Sequence, residues 1–186
     1  LAGVRVVAFD KTGTLTRGEL KVVGALSLSD ASPDAVLRCA AAVEARSEHP
    51  VARAIVAHAR AHGVVIEGVA RFVSAPGMGA EAEIDGVRVS IGNERLFRDR
   101  GIPVPASSEL DLVKEQGHSL VLVAANGVVI GSVALSDRPR EMAREAIELM
   151  REQGVKWVAM LTGDHERTAA RVAEAIRSGI LFSPKG

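Results

Sequence analysis

An apolar run, Val4 to Phe9 (VRVVAF), stops at a carboxylate, Asp10, and this junction constrains the chain more than any other stretch. Its continuous apolar character is that of a strand buried on both faces of a parallel sheet. In such sheets ligands bind in the crevice beyond the carboxyl ends of the strands, which is where Asp10 is held. The residues that follow suit a phosphate. Lys11 brings a point charge, Gly13 lets the backbone approach closely, and Thr12, Thr14 and Thr16 offer hydroxyl and amide donors. The setting fits a carboxylate that attacks a phosphoryl group and becomes an aspartyl phosphate. Asp10 taken alone would read as a turn or helix-cap residue.

Asp10-Lys11-Thr12-Gly13-Thr14-Leu15-Thr16 (DKTGTLT) resembles, at all seven positions, the phosphorylation motif of the P-type ATPases, ion pumps of the haloacid dehalogenase-like superfamily. Many phosphatases of that superfamily carry a second Asp two residues after the nucleophile as general acid and base. Here Thr12 stands at that position, so hydrolysis of the acyl phosphate should be slow. A slow phosphoenzyme suits a pump, which needs time for a conformational step.

With 186 residues, 47% of them hydrophobic, the chain can form one ordinary domain or two small ones. Lys plus Arg and Asp plus Glu are both 23, so nothing predicts a general attraction to nucleic acid or to anionic membranes. The single Cys39 excludes an internal disulfide and a CxxC metal site, suits a reducing compartment, and is expected to pack in a helix among alanines. The longest apolar stretch, Leu120 to Leu135, is broken by Asn126-Gly127 and Gly131 and falls short of the roughly 18 residues a membrane helix needs. A core strand starting at Val4, with no signal peptide before it, suggests a piece of something longer.

Two kinds of sheet predict two domains. Val4 to Phe9 and Val155 to Leu161 read as buried parallel strands, with helices at 140–153 and 165–177 around the second, which makes a doubly wound α/β unit. In the middle, Ala80 to Ile91 turns at Asp85-Gly86, and Leu120 to Val133 turns at Asn126-Gly127. Both are hairpin signals. Helices are expected at 33–46, 49–63, 94–100 and 108–116. An α+β module with an antiparallel sheet, residues 30–133, is thus inserted into an α/β unit made of 1–29 and 134–186.

The resemblance extends into this module. Ser47-Glu48-His49-Pro50 looks like the SEHP motif of the heavy-metal-transporting branch, and Pro76-Gly77-Met78-Gly79 and Ile91-Gly92-Asn93 resemble its glycine segments. It implies that 30–133 is the nucleotide-binding domain, with Glu44, His49, Gly77, Gly79 and Gly92 around the adenine, ribose and α-phosphate of ATP. The residues alone are compatible: a neutral imidazole can stack on a purine and hydrogen-bond it, and glycines let a ligand lie against backbone. They also fit a helix start at Ser47 or His49 with Pro50 in the first turn, and a bend at the glycines.

The remainder of the chain is read the same way. Asp137-Arg138-Pro139 resembles the hinge where the chain re-enters the phosphorylation domain, and Thr162-Gly163-Asp164 matches the TGD motif, whose Thr162 would bind phosphoryl oxygens. The family's next Lys and its GDGxND segment do not occur before Gly186, so the phosphorylation domain is expected to be partial and turnover weak. The resemblance places Mg²⁺ on the Asp10 carboxylate and the Thr12 carbonyl. It also implies membrane and actuator domains as partners in one pump, a heavy-metal ion bound in the membrane part, and a place on the cytoplasmic side. The Asp137-Arg138-Pro139-Arg140 wording inclines towards Zn²⁺, Cd²⁺ or Co²⁺ over Cu⁺. The alternatives are a small phosphatase of the same superfamily and a nucleotide-sensing module without chemistry.

Overall fold

The computed structural model describes residues 4–10, 20–137, 141–162 and 180–184. Within them the chain runs β1 (Val6–Asp10), β2 (Lys21–Ser27), α1 (Pro33–Glu44), α2 (Pro50–Ala61), β3 (Ala70–Ala75), β4 (Gly79–Ile84), β5 (Val87–Gly92), α3 (Glu94–Asp99), α4 (Ser108–Glu115), β6 (Ser119–Ala125), β7 (Val128–Ser136), α5 (Glu141–Glu152), β8 (Trp157–Thr162) and β9 (Ile180–Pro184).

Two-residue turns set the middle of the chain. Asp85 and Gly86 have φ of 48° and 80°, and Asn126 and Gly127 have φ of 47° and 78°. This pattern of two positive φ values matches the right-handed twist of the strands it joins. Asn126 also ties its hairpin to the next, since its Oδ1 accepts from Arg88 N at 3.0 Å and its own N–H donates to Arg88 O at 2.7 Å. The result is a six-stranded antiparallel sheet in the order β2-β7-β6-β5-β4-β3. The helix starts follow ordinary capping: Ser32 Oγ accepts from Ala35 N ahead of Pro33, and Asn93 Oδ1 accepts from Arg95 N and Leu96 N. α1 buries Val36, Leu37 and the small Ala40, Ala41 and Ala42 and packs on α2, β2, β4, β5 and β7. A second cluster joins Leu96, Phe97 and Leu110 of α3 and α4 to Leu122 and Ala124 of β6.

In the other sheet β1, β8 and β9 are parallel, with Asp10 opposite Leu161 and Thr162 opposite Pro184. α5 packs through Ala143 and Ile147 on Val158 and Phe9. This is the parallel and antiparallel combination expected. Three strands, β2, β3 and β9, were not foreseen. β2 carries a bulge between Val22 and Gly24 that breaks its alternation, and β3 is an edge strand with few buried residues.

Contacts divide the chain into one unit of residues 1–20, 112–119 and 137–186 and another of 21–111 and 120–136. The antiparallel unit therefore takes in β2 and all of β7, where the sequence reading set the insertion at 30–133. The expected helix at 165–177 lies outside the described residues. Among the described residues no helix is long and apolar enough to cross a membrane.

Candidate functional site

The three glycines expected to face a nucleotide meet at one crossing. Gly79 and Gly92 are register partners on β4 and β5. A Cβ on Gly79 would collide with the Ile91 carbonyl oxygen and lie 2.6 Å from Gly92 Cα, while one on Gly92 would collide with the Met78 carbonyl oxygen and lie 2.8 Å from Leu96 Cδ2. Both positions are thus reserved for glycine by the close approach of two backbones. Gly77, at φ +70° with open space around its missing Cβ, is a glycine for its backbone conformation.

Asn93 clamps this turn. Its Nδ2 donates to Gly77 O at 3.0 Å, its backbone N–H donates to Met78 O at 2.8 Å, and its Oδ1 caps α3. The sequence reading quoted Asn93 beside Gly92 but did not carry it over as a site residue. An Asn directly before an acidic first turn is the cap signal that could have singled it out.

Glu44 and His49 form a second cluster, at the corner between α1 and α2. Glu44 is 7% exposed, and burial pushes its carboxyl up to about 7 against the weaker opposing effect of a hydrogen bond from the Ser47 side chain. Ser47 N donates to Glu44 O at 2.9 Å, and Ser47 Oγ accepts from His49 N at 3.3 Å, so Ser47 links the two predicted residues. His49 is the N-cap of α2: its Nδ1 accepts from Val51 N at 3.3 Å. That bond leaves the ring proton on Nε2, so an exposed imidazole presents an N–H and a π face outward. α1, which ends at Glu44, rests on β4 and β5, the strands that carry Gly79 and Gly92.

In the parallel unit, Asp10 ends β1 beside Leu161, and the next residue of the neighbouring strand is Thr162. Adjacent strands lie about 4.8 Å apart, so both predicted residues occupy the same carboxyl edge. Lys11, Thr12, Gly163 and Asp164 lie outside the described residues, as do Arg138 and Pro139 of the expected hinge. Chemically, a carboxylate at a strand end can accept a phosphoryl group, and an exposed imidazole can stack on a planar ring.

Residues 4–183 match the model of the haloacid dehalogenase-like hydrolases. The copper-exporting P-type ATPase B of Archaeoglobus fulgidus is 40% identical over 173 residues, 93% of this chain and 24% of that protein. A zinc-transporting PIB-type ATPase in its E2.Pi state superposes with a TM-score of 0.65 at 35% identity, over 96% of this chain and 29% of its own. The catalytic domain of the CPx-ATPase CopB-B, in work on its conformational changes upon nucleotide binding, gives a TM-score of 0.72 at 26% identity over 97% of this chain and 61% of that one. The chain spans about a quarter of the length of the curated relatives it matches.

Proposed function

The chain belongs to the haloacid dehalogenase-like hydrolase family, and from that membership we propose that it is the ATP-binding and phosphoryl-accepting portion of a heavy-metal pump. The observation that carries this reading is that Asp10 and Thr162 end neighbouring parallel strands at the same sheet edge. A carboxylate oxygen of Asp10 attacks the γ-phosphorus of ATP, the bond to the β-phosphate bridging oxygen breaks, and ADP leaves. Thr162, with Gly163 and Asp164 after it, steadies the transferring group, and Lys11 balances its charge. Asp10 and the Thr12 carbonyl offer the oxygen donors a hard cation takes, and would hold a Mg²⁺ that neutralises phosphate charge.

The antiparallel unit is the nucleotide-binding domain in this reading. His49 stacks on the adenine, Glu44 accepts from it, and Gly77, Gly79 and Gly92 admit the ribose and α-phosphate against backbone. The parallel unit is the phosphorylation domain, working with membrane and actuator domains on the cytoplasmic side of a membrane. The relatives carry both copper and zinc in their names, so the reading stops at the heavy-metal class.

The test is a calorimetric titration of the chain with ATP, beside the His49→Ala variant and with GTP as competitor. Adenine-selective binding that the variant weakens about 10-fold or more, roughly 1.4 kcal/mol, is expected. Binding that is unchanged without His49, or no binding to a folded chain, would remove the nucleotide site and favour the phosphatase alternative.

A further inference from the structure

The last turn of α2 and the residue that caps it carry two histidines four residues apart, His58 and His62, and the proposed pump function uses neither. Their ring centroids are 4.1 Å apart and the planes are inclined at 33°. Spacing of i and i+4 puts two side chains above one another on a single helix face, the arrangement by which a helix grips a metal ion through two imidazoles. From these rings we propose that His58 and His62 form a two-ligand chelate site for a first-row divalent ion, of which Zn²⁺ and Ni²⁺ are the representative probes.

The hydrogen bonding favours this state of the rings. His62 Nδ1 lies 2.9 Å from the His58 carbonyl oxygen. A carbonyl can only accept, so Nδ1 carries the proton and the Nε2 lone pair is the free one. A second bond that fixes the tautomer and orients the ring is the usual support of a metal-binding imidazole. Two stacked imidazoles also repel each other when protonated.

Among the described residues no group of three His, Cys, Asp or Glu side chains converges on one point. The site therefore has two protein ligands, with water completing the shell, and belongs to the weak, exchangeable class rather than to closed structural zinc centres. Imidazole ligands suit Zn²⁺, Ni²⁺ and Cu²⁺ over Mg²⁺ or Ca²⁺. Bound metal would cross-link the C-terminal end of α2, the helix that His49 caps at its other end, and stabilise the antiparallel unit by mass action.

The experiment is calorimetric titration of the chain with Zn²⁺, repeated with Ni²⁺, on the unmodified protein and on His58→Gln, His62→Gln and His49→Ala. One equivalent should bind, both pair variants should weaken it at least about 10-fold, since loss of even a supporting group costs that much, and His49→Ala should leave it intact. Loss in only one pair variant, equal binding in both, or no saturable binding overturns the site. Should a pair variant not fold, the amide spectrum of the unmodified chain decides. Zn²⁺ should shift resonances of 58–62 first, and shifts centred elsewhere refute the proposal. The site stands or falls independently of ATP binding, because its residues and its readout are different.

Discussion

Glu44 and Glu81 are equally buried, at 7% exposure each, yet the two regions treat a carboxylate in opposite ways. On the β4–β5 face, Ser90 Oγ donates to Glu81 Oε1 at 3.0 Å, Arg88 Nη2 to the same oxygen at 3.1 Å, and Arg100 Nε to Oε2 at 2.8 Å. Burial alone would raise this pKa, but the Arg100 and Ser90 bonds and the two guanidinium charges outweigh it and hold the carboxyl below its usual range. At the α1–α2 corner only the Ser47 side chain opposes burial, and Glu44 is left at about 7. A carboxylate matched by cations from its own fold is part of that fold. One buried without such matching is what the proposed function requires at Glu44, where an incoming group would supply the missing donor.

Glu44→Gln tests this contrast most strongly. The folded pKa lies above the unfolded one, so the native state binds the extra proton and stability falls as pH rises between about 4.5 and about 7. The neutral amide removes that loss. The variant should unfold at higher denaturant than the parent at about pH 8, by up to about 3 kcal/mol, and match it near pH 4. ATP affinity should nonetheless fall, because a carboxylate acceptor is gone. Equal stability of variant and parent at both pH values would mean that burial leaves the Glu44 carboxyl unshifted, and a variant less stable than the parent at about pH 8 would put Glu44 on the same footing as Glu81.

Much of this architecture can be read from the residues, and what cannot depends on distance along the chain. The strand before Asp10 and the turns at Asp85-Gly86 and Asn126-Gly127 are local patterns, and each was legible. β2 was not, because its partner β7 lies about a hundred residues on and its bulge disrupts the period. Gly79 and Gly92 were picked out by resemblance, but their mutual contact is a cross-strand event that no local pattern announces. The Glu81 network was wholly hidden, since Arg100 lies 19 residues away and reaches the carboxylate only once α3 is packed. Glu44 was named for its likeness to a family position. Its burial became visible only when α1 met the sheet.

The opposite arm of the comparison is Arg100→Ala. It removes the shortest of the Glu81 bonds and leaves a buried carboxylate with Arg88, whose side chain is 65% exposed, as its remaining cation. A loss of about 2 kcal/mol in denaturant unfolding is expected, the range of a hydrogen bond to a charged group. The sign of the pH dependence is the reverse of that at Glu44. Glu81 has a depressed folded pKa, so its contribution is present above the unfolded carboxyl range and is lost as pH falls through the folded value. The variant should therefore lose most at neutral pH and least in acid. ATP affinity should not change. A loss of affinity here would mean that the Glu81–Arg100 pair, and not only the glycines of β4 and β5, belongs to the ligand site.

Ser47→Ala has the smallest effect and separates structure from function most finely. The Ser47 side chain is bonded to Glu44, and its hydroxyl oxygen accepts from His49 N, so one small group serves both predicted ligands. Removing it costs about 1 kcal/mol of folding stability, the net worth of an ordinary hydrogen bond. It also takes away the influence that lowers the Glu44 pKa, so the carboxyl should titrate still higher than in the parent. In the proposed function Ser47 would be a positioning residue, whereas a role confined to the loop would leave the Glu44 titration where it is. A carboxyl resonance followed by NMR over pH distinguishes the two: an upward displacement, together with weaker ATP binding, ties Ser47 to the site. An unchanged titration with the same 1 kcal/mol loss would reduce Ser47 to a link in the loop between two helices, and would leave Glu44 and His49 to act without a common support.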